Sequence, residues 1–296
     1  MKRFFQILIF AAAFTLFLGS EAIFPQAQPK SADNIIVVTL DGMRWQEVFS
    51  GMSRALLNET DGGVRNAASI EQRFGGTTPE ERRQRLMPFF WSVVARNGQI
   101  FGDPVANSEA HLTNTFSISY PGYNEMFAGF PDERITSNNR TFNPNVTVLE
   151  WLNGLPRFNG RVAAFSSWAL LPWILNQPRS GIPSNAAGVP IQDVKTEAVR
   201  MVNDLAAGLP PYWPESTFDA PTAIGAIEYL RRKHPRVLYV MFEETDEWAH
   251  GRRYDMYLDG AFRDDAFIRR LWETSQSLPS HRGRTAMIIT TDHGRG

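Results

Sequence analysis

The sequence predicts an α/β fold, a three-layer α/β/α sandwich with a mostly parallel central sheet. Three observations carry this prediction. Three short apolar runs, around Ile35–Leu40, Val237–Phe242 and Ala286–Thr291, have the length and continuity of strands buried on both faces. Each run ends on side chains that bind cations: Asp41, the acids from Glu243 to Asp246, and Asp292-His293. Amphipathic helical stretches separate the apolar strands, the alternation expected of parallel crossovers.

Taken in order, the chain opens with a basic start, Lys2-Arg3, then the apolar run Phe4–Leu18 and small residues at Ser20 and Ala22. This pattern predicts a signal peptide over residues 1–22 and an exported protein, secreted or periplasmic. A polar linker, residues 23–33, leads to one α/β domain over residues 34–296. The first strand ends at Asp41. Residues 50–78, rich in Gly, Asn and Ser, predict a long surface excursion. Residues 79–97 predict a helix capped by Thr78 and broken near Pro88, with Gly98 as its stop. A further helix is expected over 146–155 and a strand over 161–166. Residues 168–188, with their Pro, Gly and Trp, predict a lid near the site. Amphipathic helices follow over 193–207 and 220–233, the second capped by Asp219. A long helix is expected over 254–277. Asn58, Asn139 and Asn145 each begin a glycosylation triplet, which matters only in a eukaryotic source.

Composition narrows the chemistry. With 30 basic and 31 acidic residues the formal charge is -1, so no global field recruits a nucleic-acid polymer or an anionic membrane. There is no cysteine, so a metal must be held by Asp, Glu, His or hydroxyl groups. Such ligands favour zinc in an N/O site or harder ions such as manganese.

Three motifs supply such ligands. Asp246 and His250, four residues apart, meet on one helical turn. Asp292 and His293 sit where a strand ends and the chain turns, which lets both converge. Asp41 ends the first strand. Together they bring five N/O ligands to one sheet edge, where open α/β sheets place their ligands.

In this order of motifs the chain resembles the alkaline phosphatase superfamily, closest to its nucleotide pyrophosphatase/phosphodiesterase branch. The resemblance runs over most of the chain after the signal. It is carried by the strand with Asp41, by Ser117-Ile118-Ser119-Tyr120-Pro121 with Gly129 downstream, by Asp246-x-x-x-His250 and by Asp292-His293. It implies hydrolysis of phosphoric esters, mono- or diesters of small molecules, through a phosphoryl-serine on Ser119, with Ser117 or Thr115 as the neighbouring hydroxyls. It implies Asn138, with Asn139 beside it, as the ligand of the phosphoryl oxygen. It implies two Zn2+, or Mn2+ or another divalent ion. One would be held by Asp41, Asp292 and His293 and touch Ser119. The other would be held by Asp246, His250 and one further histidine expected after His293. No histidine follows His293 among the 296 residues, so the resemblance implies closing strands and a ligand beyond Gly296. The remaining histidines are His111, His234 and His281, the last expected to be exposed in its polar loop.

Other members of the same superfamily remain as alternatives. A sulfatase would need Arg where Tyr123 stands. A metal-dependent phosphomutase would serve cytosolic metabolism rather than an exported protein. An inactive binding protein is the alternative outside catalysis. The substrate pocket is expected from residues 50–78 and 168–188, with Trp168, Trp173 and Arg179 available for stacking and phosphate contacts. Stable membrane insertion is not expected once the signal is cleaved.

Overall fold

The computed structural model describes residues 32–192 and 194–295. The expected signal peptide, most of the linker and Asp193 lie outside the described residues. Five strands form one sheet: β1 (Asn34–Leu40), β2 (Val162–Ser166), β3 (Ser184–Asn185), β4 (Val237–Phe242) and β5 (Thr285–Thr290). Their order is β3-β2-β4-β1-β5 and every pairing is parallel.

The β4 sequence explains why it lies at the centre. All six of its residues, VLYVMF, are buried. Leu238, Val240 and Phe242 join a core on one face with Leu230, Leu258 and Leu271. Val237, Tyr239 and Met241 join a second core on the other face with Tyr123, Phe127 and Leu149. A strand buried on both faces has no polar side to alternate, hence the continuous apolar run. By contrast β5 pairs only with β1 and is half-buried along its length, with Ile288 50% exposed.

Eight helices matter for the site. They are α1 (Trp45–Ser50), α2 (Pro79–Leu86), α3 (Ser119–Ala128), α4 (Val148–Gly154), α5 (Glu197–Gly208), α6 (Asp219–Lys233), α7 (Glu244–His250) and α8 (Tyr254–Ser277). The Thr78 hydroxyl caps α2 by accepting from Glu81 N, and the helix ends ahead of Pro88, after which Phe90–Val94 forms a π-helical turn. The break arises because proline cannot donate to the helical ladder and its ring crowds the preceding turn. Thr147 caps α4 and Thr196 caps α5, each by accepting from the backbone N–H three residues on. No helix among the described residues is long and apolar enough to cross a membrane.

The structure corrects four local expectations. Asp219 is the first residue of α6, not its cap. Its carboxylate instead accepts from Glu243 N and Glu244 N, 2.8 and 2.9 Å, at the start of α7. Glu244 returns the contact by accepting from Asp219 N at 3.0 Å, so two helix starts satisfy each other's free amides. His281 is buried, with Nε2 2.9 Å from the carbonyl oxygen of Pro235, because its loop folds under the strands. Residues 168–188 are no lid over the main cleft. Leu170, Leu171, Ile174 and Leu175 pack in the second core, and Arg179 is tied to Glu150 and to the backbone carbonyls of Asn143, Pro144 and Asn145. Asn145 is buried and donates to Asp132 and Asn124, so its side-chain nitrogen is engaged inside the fold and not displayed for glycosylation.

Candidate metal centre

Strand register builds the site. Leu40 pairs with Phe242 and Thr39 with Thr290, so β4, β1 and β5 end within a residue of one another. The residues just past those ends therefore share one small volume, at the carboxyl edge where parallel sheets bind ligands. Two groups of ligand atoms result: Asp41, Asp292 and His293, and Asp41, Glu243 and Asp246. Within each group the atoms lie within 4.8 Å of one another and every residue is buried. Asp41 belongs to both.

Each ligand is held in place by a neighbour. Tyr123 donates its hydroxyl to Asp41 Oδ2 at 2.8 Å, and the Thr245 hydroxyl donates to the Asp41 carbonyl at 2.5 Å. Gly42 N donates to Asp292 Oδ1 at 3.1 Å. The His293 ring has Nδ1 2.9 Å from the Gly294 carbonyl oxygen, so Nδ1 donates there and Nε2 faces the carboxylates. That nitrogen is 3.4 Å from Asp292 Oδ2, 3.6 Å from Asp41 Oδ1 and 3.9 Å from Asp246 Oδ1.

Ser119 opens α3, with Ile118 as the N-cap. Its Oγ, nearly buried, lies 3.2 Å from His293 Nε2 and 3.4 Å from Asp41 Oδ1. A hydroxyl in the first turn of a helix also faces the positive end of its dipole. Ser117 is exposed at a positive φ of 47°, and Thr115 is exposed and does not line the cleft. Asn138 accepts from Tyr120 N at 2.9 Å through Oδ1, which turns its Nδ2 donor elsewhere, and the residue lines the cleft. Asn139 does not.

Two glycines allow this closeness. Gly42 has φ +61°, and a Cβ there would collide with the Asp246 carboxylate. A Cβ on Gly122 would overlap the backbone carbonyl of Asp292, which cannot swing aside. Gly122→Ala is therefore expected to cost about 1–3 kcal/mol through overpacking and to weaken cation uptake by parting α3 from Asp292. Thermal unfolding with and without added metal checks this. An unchanged melting temperature and metal response would show that α3 can move without cost.

The carboxylates are crowded. Burial, then the charges of Asp292 and Asp246, push the Asp41 carboxyl well above its ordinary range. Burial and the neighbouring Asp41 do the same to Glu243. Asp292 is pushed up to about 7, mainly by burial. Glu243 Oε2 and Asp292 Oδ2 are buried without a hydrogen-bond partner among the described residues. Buried acceptors left unpaired and repelling one another call for a positive charge. The donor set, carboxylate and imidazole without sulfur, fits a divalent cation such as zinc or manganese.

Asp246 is the exception: burial pushes its carboxyl up, but the bond from His250 and the Arg295 charge together outweigh that and hold it below its ordinary range. His250 Nε2 lies 3.0 Å from Asp246 Oδ2, and its side chain is largely exposed. The Arg295 guanidinium bonds Asp246 Oδ1. All seven residues singled out in the sequence thus lie at one edge: Asp41, Ser119, Asn138, Asp246, His250, Asp292 and His293. The second ligand group as built uses Glu243 where the resemblance implied His250 and a further histidine. Glu243 stands in the sequence among the acids that end the β4 run but was not assigned as a ligand, and Arg295 was not singled out. Glu243 follows the last residue of β4 and so obeys the same strand-end pattern as Asp41. Arg295 carried no signal.

A cleft of about 1040 Å³ is lined by Ser119, Asn138, His250, His293 and Arg295, whereas Asp41, Glu243, Asp246 and Asp292 do not line it. Its walls include Arg44, Leu56, Asp61, His111, Asn138, Arg252, Arg253 and Tyr257, so part of the 50–78 excursion contributes as expected. Trp168, Trp173 and Arg179 do not line it. His111 lines the cleft but joins neither ligand group. The chain matches no protein-family model, and no curated protein matches it.

Proposed function

We propose that the protein hydrolyses phosphoric esters of small molecules, with Ser119 as nucleophile beside a centre for divalent cations. The observation that supports this most is the Ser119 hydroxyl, nearly buried, at the N-terminus of α3, within 3.4 Å of two residues of one ligand group. Asp41, Asp292 and His293 would hold one cation, and Asp41, Glu243 and Asp246, with His250 at hand, a second. A bound divalent cation supplies positive charge that favours the serine alkoxide and the charge developing on phosphoryl oxygens.

The chain's own residues do the rest. Ser119 Oγ gives its proton to water in the cleft and attacks phosphorus, the bond from phosphorus to the ester oxygen breaks, and that oxygen takes up a proton from the same water and leaves as the alcohol, so the phosphoryl group rests on Ser119. A second water then attacks that phosphorus, the bond to Oγ breaks, and one proton of this water passes to Oγ, restoring the hydroxyl and releasing phosphate, or a monoester if the substrate was a diester. Asn138 offers its Nδ2 to a phosphoryl oxygen while Oδ1 stays fixed on Tyr120 N. Arg295, on the Asp246 side of the cleft, is the guanidinium nearest the ligand groups and suits a phosphoryl oxygen. Tyr123, where a sulfatase would need Arg, is instead committed to Asp41, which favours phosphoryl over sulfuryl esters.

The test is turnover by the full chain, loaded with zinc or with manganese, of p-nitrophenyl phosphate, bis-p-nitrophenyl phosphate and p-nitrophenyl sulfate. Hydrolysis of either phosphate, lost with EDTA, is expected. Turnover of the sulfate alone, or of none, would overturn the assignment.

A further inference from the structure

The two ligand groups differ before any cation arrives. In the first, Asp292 Oδ2 is buried with no hydrogen-bond partner among the described residues, and the basic side chain facing Asp41 and Asp292 is His293. In the second, Asp246 is already engaged at both oxygens. His250 Nε2 lies 3.0 Å from Oδ2, while the Arg295 guanidinium bonds Oδ1 and reaches the Asp246 carbonyl at 3.2 Å. Beside them Glu243, 3% exposed, keeps Oε2 buried and without a partner among the described residues. Arg295 and His250 line the cleft, whereas Asp246, which they hold, does not. An ion that comes through the cleft therefore meets a guanidinium and an imidazole before it meets Asp246.

Arg295 is held less firmly than its neighbours. Two other arginines line the cleft, and each grips a carboxylate through Nε and a terminal nitrogen together: Arg44 on Glu47 and Arg253 on Asp255. That double bond fixes the plane of the guanidinium. Arg295 uses one terminal nitrogen for both of its bonds to Asp246, and its Nε is buried with no partner among the described residues. Its side chain is 22% exposed. A buried donor left unpaired is a cost that the residue sheds by moving.

We infer that Arg295 is the resident counter-ion of the second ligand group, and that a divalent cation enters that group by displacing the guanidinium from Asp246 into the cleft. The inference rests on the two-cation reading of the centre. Two consequences follow from charge. Arg295 and a cation compete for Asp246 Oδ1, so the first group, Asp41 with Asp292 and His293, fills before the second. The displaced guanidinium then has a free fork of donors in the cleft, where it suits a phosphoryl oxygen. Phosphate and the second cation thus favour each other's binding, by the same factor in both directions.

The experiment is calorimetric titration of the full chain, stripped with EDTA, with manganese. The wild type is expected to take up one cation and then a second, the second about tenfold or more weaker. Arg295→Met removes the competitor with little loss of bulk. It should tighten the second step about ten- to a hundredfold, the worth of a hydrogen bond between charged groups, and leave the first within about twofold. Arg295→Lys keeps the charge and should tighten the second step far less. Inorganic phosphate should tighten that step about fivefold more in the wild type than in Arg295→Met. Far-ultraviolet circular dichroism and the unchanged first step confirm that the variants fold. Two equal steps in the wild type, a second step that Arg295→Met leaves unchanged or weakens, or equal tightening in the Met and Lys variants would overturn the inference. None of these readings uses turnover. A protein that exchanges arginine for cation as expected, yet hydrolyses no ester, would overturn the hydrolase assignment alone.

Discussion

Ser119→Ala is expected to reduce turnover by roughly 10⁴-fold or more, the scale at which removal of a covalent nucleophile is felt, while leaving cation uptake within a few-fold. The geometry separates the two effects. The hydroxyl lies 3.2 Å from His293 Nε2 and 3.4 Å from Asp41 Oδ1, yet both ligand groups are complete without it. Removing one oxygen at a nearly buried helix start also leaves no large cavity. The paired measurements are single-turnover kinetics and the rise in melting temperature on adding metal. Turnover at the wild-type rate would move the nucleophile to Ser117, which also lines the cleft, or to Thr115. Loss of the metal response as well would make Ser119 a ligand first.

The second large effect is on stability. Without a cation, the folded protein holds Asp41, Glu243 and Asp292 close together and out of water, and all three carboxyls are pushed up. Asp292 keeps its proton to about 7 in the folded state, against an ordinary carboxyl value near 3.8. Between those two values the folded state binds more protons than the unfolded one, so stability falls as pH rises through that window. Metal-stripped protein should therefore melt lower at pH 8 than at pH 5. Cations bind the deprotonated carboxylates, so the metal response runs the other way and grows with pH. A thousandfold excess over Kd is worth about 4 kcal/mol, which for a chain of this size raises the melting temperature on the order of 10 °C. Scanning fluorimetry with EDTA, zinc or manganese at the two pH values reads both effects. A melting temperature indifferent to pH and to metal would mean that the acids are satisfied from within the protein.

How much of this was legible in the sequence depends on the range of the interaction that decides each feature. Strands β1, β4 and β5 are written locally, as apolar runs, and parallel pairing then brings their terminal acids together. Thr78 as a cap and Pro88 as a break are equally local. Asp219 misleads because its carboxylate serves a helix start 24 residues on. A capping residue chosen by its neighbours in sequence cannot reveal that. His281 sits in a loop of polar composition that folds under the strands, and composition does not report where a loop goes. Residues 168–188 have the Pro, Gly and Trp content of a surface lid but carry five leucine and isoleucine side chains into a core. Glu243 is visible among the acids that end the β4 run, but the Asp246-x-x-x-His250 spacing three residues later draws the ligand assignment away from it.

The half-buried edge strand β5 has one more consequence. Among the described residues it pairs on one side only, whereas β4 is covered on both faces and paired on both edges. Segments with few buried contacts open locally at far less free energy than the whole fold. Asp292 and His293 hang from that strand, while Asp41 and Glu243 extend the two inner strands beside it. A cation held there as proposed would be a rivet between the part of the sheet that breathes first and the part that breathes last. Amides near Ile288 and Ile289 are then expected to exchange with solvent at a pace set by the occupancy of the ligand groups, and the residence time of a bound ion would be limited by fraying of the edge instead of by unfolding of the protein.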